Sequence, residues 1–405
     1  MTLRLAKKGL YYLWEDTIPT STTPLCVTRA ERISLARIDD RVLGSVIYLY
    51  ETEDGAEKGA EFGGSGFLLS VQSEIHSDYF HVYAVSNKHV VADPGYAPVV
   101  RVTRASRIDR FKGQPPFMAG NREIIPLGWN QWRLHPDADV AIASLGYDEI
   151  LHELGQGPAY GRRFSFTFPS FLLLTHEVVD AFDIGPGDDV YMCGRFAPHA
   201  GAYFNEPSTR WGTIALMHSM VEVDKGEPKA EVFLVEMRSL SGFSGSPVVW
   251  RLPIDFEFWL TSLFKRTNEP NPLATRMIKE EVGPQLIGPW LVGIQCGSFP
   301  FYYPVVHKGT ERQVEDYEAK SHSGVAAVVP AWKLEELINS EECVMARKKA
   351  DEEISQKKQQ RTSSLDREAA SRESPLTRTA FEDTLRRVSR KVSETSEPES
   401  KTLKE

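Results

Sequence analysis

Along most of the chain, apolar residues come in short runs or alternate with polar ones, and glycine or proline closes each run. That is the pattern of strands and turns. Val42 to Tyr50 (Val-Leu-Gly-Ser-Val-Ile-Tyr-Leu-Tyr) is rich in β-branched and aromatic residues and predicts an opening strand. Glu51 to Glu61 reads as an acidic loop, Gly66 to Val71 as a second strand and Tyr79 to Val85 as a third. Pro98 to Val102 reads as extended, Phe111 to Phe117 as a Gly/Pro loop and Asp139 to Leu145 as a further strand. Leu151 to Phe171 carries Gly155, Gly157, Pro158 and Gly161 and predicts a connector. Beyond it, short strands recur at Val190 to Cys193, Arg210 to Met217, Glu231 to Glu236, Pro247 to Trp250, Trp290 to Gln295 and Gly324 to Val329.

Runs of strands without alternating helices predict an all-β chain. Pro330 to Ile338 departs from the pattern: proline stands at a helix start and the apolar residues share one face, so a C-terminal helix is expected. Beyond Glu341 the composition turns to Lys, Arg, Glu, Ser and Gln with Phe381 as the lone aromatic, which predicts a disordered charged tail. Its later part, Phe381 to Val392, is expected to become helical on a protein partner. Residues 1–38, with a Pro/Thr/Ser stretch from Thr17 to Pro24, read as an arm without a function of its own. Residues 251–289 form a long insertion, either a lid at a cleft edge or a solvated loop.

Composition narrows the class. Of 405 residues, 41% are hydrophobic and 25% charged, as in soluble globular proteins. The formal charge of −9, with Lys and Arg scattered, argues against a nucleic-acid partner. Cys26, Cys193, Cys296 and Cys343 are too few and too dispersed for a disulfide framework or a zinc site. Glu15 and Asp16 interrupt any apolar leader, and no run is long enough to span a bilayer. The expectation is a cytoplasmic protein with reduced thiols and no membrane association.

Three short segments carry the chemistry. Ser241-Gly242-Phe243-Ser244-Gly245-Ser246-Pro247 sets Ser244 between glycines, with an apolar run after it. The backbone can bend sharply there and turn N–H groups toward an oxyanion, although Gly/Ser loops form many ordinary turns. Tyr83-Ala84-Val85-Ser86-Asn87-Lys88-His89 runs an aliphatic strand into a histidine. His135-Pro136-Asp137-Ala138-Asp139-Val140-Ala141 leads an acid into a strand. Among the other histidines, His76, His81, His135, His307 and His322 show no metal-ligand spacing to one another and are read as structural or surface residues.

With His89, Asp139 and Ser244 in that chain order, the sequence resembles the trypsin-like serine peptidases of the chymotrypsin fold. Gly64-Ser65-Gly66-Phe67-Leu68-Leu69 resembles the strand before the histidine in bacterial members. Ile184 to Tyr191 resembles the opening of a second barrel, and Trp290 to Gly297 the strand that lines the cleft. The resemblance implies two six-stranded antiparallel β-barrels within residues 39–335, the first over about 39–150 and the second over about 180–330. Residues 336–405 would hold the end of the helix and the tail.

The resemblance further implies a serine endopeptidase acting on a peptide or protein, with no cofactor and no metal. His89 would be the base, Asp139 its orienting acid with Asp137 as rival, and Ser244 the nucleophile. The N–H groups of Gly242 and Ser244 would form the oxyanion hole. Arg238, Ser239 and Leu240 with Gln295, Cys296 and Gly297 would line the substrate pocket. Phe243 departs from the pattern of secreted relatives, which carry an aspartate there that pairs with a cleaved amino terminus. The alternative is an idle peptidase fold that serves as a peptide-binding or regulatory module, its tail holding a partner. A chaperone-protease ranks lower, because the chain beyond Ile338 is too polar for a peptide-binding domain.

Overall fold

The computed structural model describes residues 38, 40–59, 63–92, 99–104, 122–149, 163–196 except 165, 201, 205–222, 229–238, 242–251, 289–306, 313–372, 382 and 386. The arm of residues 1–38 (save Ile38), the Phe111 to Phe117 loop, most of the connector and nearly all of the 251–289 insertion lie outside the described residues. All the strands belong to one compact unit, Asp40–Glu405.

The first half holds β1 (Val46–Tyr50), β2 (Ser65–Gln72), β3 (Tyr79–Ser86), β4 (Val99–Thr103), β5 (Arg122–Pro126), β6 (Trp132–Leu134), β7 (Ala141–Glu149) and the two-residue β8 (Phe168–Pro169). Their order is β5-β4-β1-β2-β3-β7-β6, every neighbour antiparallel, with β8 added parallel to β2. One face gives a core of Ile47, Leu49, Leu68, Val82, Ala84, Val100, Val102, Ala141 and Ala143, at most 1% exposed, the two-residue period expected of a half-covered sheet. β1 is nevertheless buried along its whole length, because its other face, with Tyr48 and Tyr50, carries the guanidinium groups of Arg101 and Arg195 over the rings. The resemblance implies a first closed barrel. Among the described residues, however, β5 and β6 do not pair, so this half is an open curled sheet. β6 has only three residues and β5 is partly exposed along its five, which leaves little ladder to close it.

The second half does close. Here β9 (Asp189–Gly194), β10 (Ser208–Val221), β11 (Ala230–Glu236), β12 (Pro247–Trp250), β13 (Leu291–Val306) and β14 (Gln313–Pro330) form a barrel in the order β10-β11-β14-β13-β12-β9. Closure pairs every strand on both sides and leaves no edge along the ring.

The helices are α1 (Asp40–Ser45), α2 (Glu53–Lys58), α3 (Lys88–Val91), α4 (His176–Phe182), α5 (Ala331–Ile338) and α6 (Glu341–Arg372). α5 begins after Pro330 and buries Ala331, Trp332, Leu334, Leu337 and Ile338, the face expected from their spacing. α6 corrects the expectation of disorder directly after Glu341. It buries Cys343, Asp351 and Ile354 at 2% exposure each, and Arg347 hydrogen-bonds back to the Ile338 carbonyl and the Tyr83 hydroxyl. Positions 343, 347, 351, 354 and 355 fall on one face at helical spacing. That face is mostly polar, and tertiary hydrogen bonds, more than apolar area, hold it. Among the described residues no helix is long and apolar enough to cross a membrane.

Candidate active site

Strand register brings two distant segments together. Ser86, the last residue of β3, pairs with Ala141, the first of β7, so the residues just after β3 meet those just before β7. Asn87 leaves the strand in extended conformation and caps the single turn of α3, which carries His89. Its buried amide donates to the Asp139 carbonyl at 2.8 Å. The Asp139 carboxylate then takes His89 by two atoms: Oδ1 accepts the His89 backbone N–H at 3.0 Å, and Oδ2 lies 2.6 Å from Nδ1 of the ring. With Nδ1 donating to the carboxylate, the basic nitrogen of the neutral ring is Nε2. Asp137 engages the same loop differently, through its backbone N–H, which donates to His135 Nδ1.

Ser244 sits on a tight turn in the barrel half. The Ser246 N–H donates to the Phe243 carbonyl at 2.9 Å, and Gly245 has φ of +88°, which places Ser244 and Gly245 at the centre of a type II geometry. Glycine is required at 245: a Cβ there would lie 1.9 Å from the Ser65 carbonyl oxygen. Phe243 is fully buried, its ring under the Arg210 guanidinium and beside Gly194. From the other side, β13 fixes the loop, with Gly245 N–H donating to the Gln295 carbonyl and Gln295 N–H to the Ser246 carbonyl.

A seam on Ser65, at the start of β2, joins the histidine and serine loops. Ser65 donates its N–H to the Ser244 carbonyl and its hydroxyl to the Gly242 carbonyl, both at 2.7 Å. Its own carbonyl accepts from the Ser86 hydroxyl at 2.8 Å, three residues ahead of His89. Next to it, Gly64 separates Val90 from Ser244: a Cβ at Gly64 would lie 2.7 Å from Val90 Cγ1 and 3.0 Å from the Ser244 carbonyl oxygen. The Ser244 turn and the His89 turn therefore flank one glycine.

Of the expected pocket residues, Arg238 is exposed, while Ser239 and Leu240 lie outside the described residues. Gln295 is buried, and its side-chain amide donates to the Gly297 carbonyl. Cys296 is buried, and its thiol donates to the Ala327 carbonyl. Asn87 was not among the expected functional residues, and His81 and His135 were expected to be ordinary structural or surface histidines. A histidine four residues before an acid was the only sign of His135, and it has no meaning without the loop it shapes.

No protein-family model matches the chain, and no curated protein matches it. This structure is similar to the MamO protease domain from Magnetospirillum magneticum, at 14% identity and a TM-score of 0.36, over 73% of this chain and 96% of that one. It is similar to Deg5 at 18% identity and a TM-score of 0.30, over 52% and 77% of the two chains. It is similar to the HtrA-type protease AlgW with tripeptide at 16% identity and a TM-score of 0.33, over 74% and 62%. All three superpose loosely, so the site rests on the contacts within this chain.

Proposed function

We propose that the protein is a serine endopeptidase. The observation that carries this reading is the 2.6 Å contact between His89 Nδ1 and Asp139 Oδ2, with the Ser244 turn joined through Ser65 to Ser86, three residues before His89. A serine hydroxyl is a weak nucleophile unless a base removes its proton. His89 Nε2 takes that proton as Ser244 Oγ attacks the scissile carbonyl, and Asp139 stabilises the resulting imidazolium. The N–H groups of Gly242 and Ser244 receive the charge that develops on the carbonyl oxygen, and each such donor is worth on the order of 3 kcal/mol in a comparable site. Collapse of the tetrahedral species expels the amine, which leaves with the proton from His89. Water then attacks the acyl-enzyme by the same route and regenerates Ser244.

The test is covalent. Intact protein treated with a serine-directed fluorophosphonate is expected to take one label, which is lost in Ser244→Ala and in His89→Ala. An intact, folded protein that takes no label overturns the reading and favours the non-catalytic peptide-binding alternative.

A further inference from the structure

The loop that presents Asp139 is built around a second histidine. His135 comes directly after β6 and is 3% exposed. Its backbone N–H donates to the Val140 carbonyl at 2.9 Å, and Val140 N–H donates to the Ala138 carbonyl at 2.9 Å. Its ring nitrogen Nδ1 accepts two backbone N–H groups, from Asp137 at 3.1 Å and from Ala138 at 3.0 Å. A nitrogen that accepts carries no hydrogen, so the neutral ring has its proton on Nε2. That nitrogen is 3.1 Å from Glu336 Oε2 on α5, to which it donates. Lys333, one turn earlier on α5, holds the same carboxylate by both oxygens, with Nζ 2.9 Å from Oε1 and 3.2 Å from Oε2. One buried ring thus satisfies two N–H groups of the acid loop and ties that loop to the C-terminal helix.

We infer that His135 is a positioning residue for Asp139. The inference rests on the proposed roles of His89 and Asp139. Asp139 is the residue after Ala138, so the peptide that fixes its carboxylate is the one whose neighbour is held by Nδ1. A side chain that offers no acceptor at this place leaves two loop N–H groups without their partner, and the loop must rearrange to find others. The contact of 2.6 Å to His89 depends on where the Asp139 carboxylate stands. Misplacement of a catalytic group by about 1 Å costs on the order of a hundredfold in rate. The role belongs to an acceptor atom at the Nδ1 position, and the link from Nε2 to Glu336 supports it from behind.

Substitution separates these parts. His135→Asn keeps an oxygen acceptor close to the Nδ1 position, as asparagine does in side chain to backbone turns. His135→Gln reaches toward Glu336 without an acceptor at Nδ1, and His135→Ala has neither. Two readouts are taken on the full chain. One is the rate of Ser244 labelling by the fluorophosphonate. The other is the low-field proton resonance of His89 Nδ1–H, observed in protein carrying ¹⁵N-histidine and assigned by its loss in His89→Gln. Labelling is expected to slow about ten- to a hundredfold in His135→Ala and His135→Gln, with the resonance shifted or lost. His135→Asn is expected to label within about threefold of the unaltered protein and to keep the resonance. Unchanged labelling and an unchanged resonance in His135→Ala overturn the inference, as does His135→Asn behaving like His135→Gln. If His135→Ala does not fold, the Asn and Gln pair carries the comparison. If the unaltered protein takes no label, the proposed function falls, and the resonance alone still decides whether His135 positions Asp139.

Discussion

His81 on β3 and Asp351 on α6 are 270 residues apart in sequence and 2.8 Å apart in the fold, exposed at 5% and 2%. The strand that ends three residues before His89 is thereby tied to the C-terminal helix. His76 with Ser355 at 2.9 Å and Lys358 over the Tyr79 ring at 4.3 Å extend the same contact. Arg133 on β6 reaches Glu342 at 2.9 Å from the other side.

This pair makes stability depend on pH. Burial lowers the His81 pKa from its ordinary 6.5, and the Asp351 carboxylate offsets only part of that effect. The unfolded chain therefore takes up a proton at a pH where the folded one does not, and acid favours unfolding. The contribution is complete above the ordinary histidine value and declines as pH falls below it. The thermal midpoint is expected to drop more steeply in the unaltered protein than in His81→Gln between about pH 7 and 5. Parallel curves for the two proteins would count against it. Asp351→Ala, which strips the buried ring of its partner, is expected to cost roughly 1–3 kcal/mol at neutral pH.

Removal of α6 is expected to weaken the first sheet. A chain ended after Ser340 loses the buried Cys343, Asp351 and Ile354 and the hydrogen bonds from Arg347 to Tyr83 and Ile338. A lower thermal midpoint is expected, along with faster amide exchange along β3. A truncated protein whose midpoint and β3 protection equal those of the full chain would show that the helix is not a brace.

The two acids of the loop should respond differently. Asp139 holds both the ring and the backbone of His89, whereas Asp137 meets His135 through its backbone. Asp139→Asn is expected to slow peptide hydrolysis on the order of 10⁴-fold, because the amide cannot hold the required tautomer. Asp137→Asn should leave the rate within a few-fold. Comparison of kcat/KM for the two variants settles the assignment, and an active Asp139→Asn would reverse it.

Phe243 is expected to set the serine loop without any cut at the amino terminus. It is fully buried, and its place beside Gly194 and Arg210 fixes the residue before Ser244 by packing alone. Full-length protein of confirmed mass should take the fluorophosphonate label directly. Phe243→Ala empties this packed site and should slow labelling strongly, at a cost of roughly 3–5 kcal/mol in stability. Labelling that begins only after proteolytic trimming would refute the packing account.

Much of the barrel half was legible along the chain. Val-Val-Trp after Pro247, Leu-Val-Gly-Ile after Trp290 and Val-Ala-Ala-Val-Val after Gly324 are runs whose local pattern and final placement agree, because these strands are covered on both faces and consecutive residues are buried. Glycine at 245 was legible too, because a turn with positive φ beside a carbonyl leaves no other choice. Of the three residues singled out by motif and chain order, His89 and Asp139 stand 2.6 Å apart and Ser244 stands on the turn tied to Ser65.

Three things were decided only by tertiary structure. The first sheet stays open among the described residues, because the length of β6 and the exposure of β5 depend on what covers them. Helix α6 forms on a segment whose composition predicts disorder, because its stabilising face is polar, and a polar face has value only against a matching one. Asp351 meets His81 and Ser355 meets His76 across more than 250 residues of sequence. His135 reads as a structural or surface histidine along the chain, and its partners are hidden there for the same reason. Its partners are two backbone N–H groups in its own loop and a carboxylate about 200 residues away, at Glu336. Hydropathy and spacing record which residues prefer water, and they carry no record of which buried donor will find which acceptor.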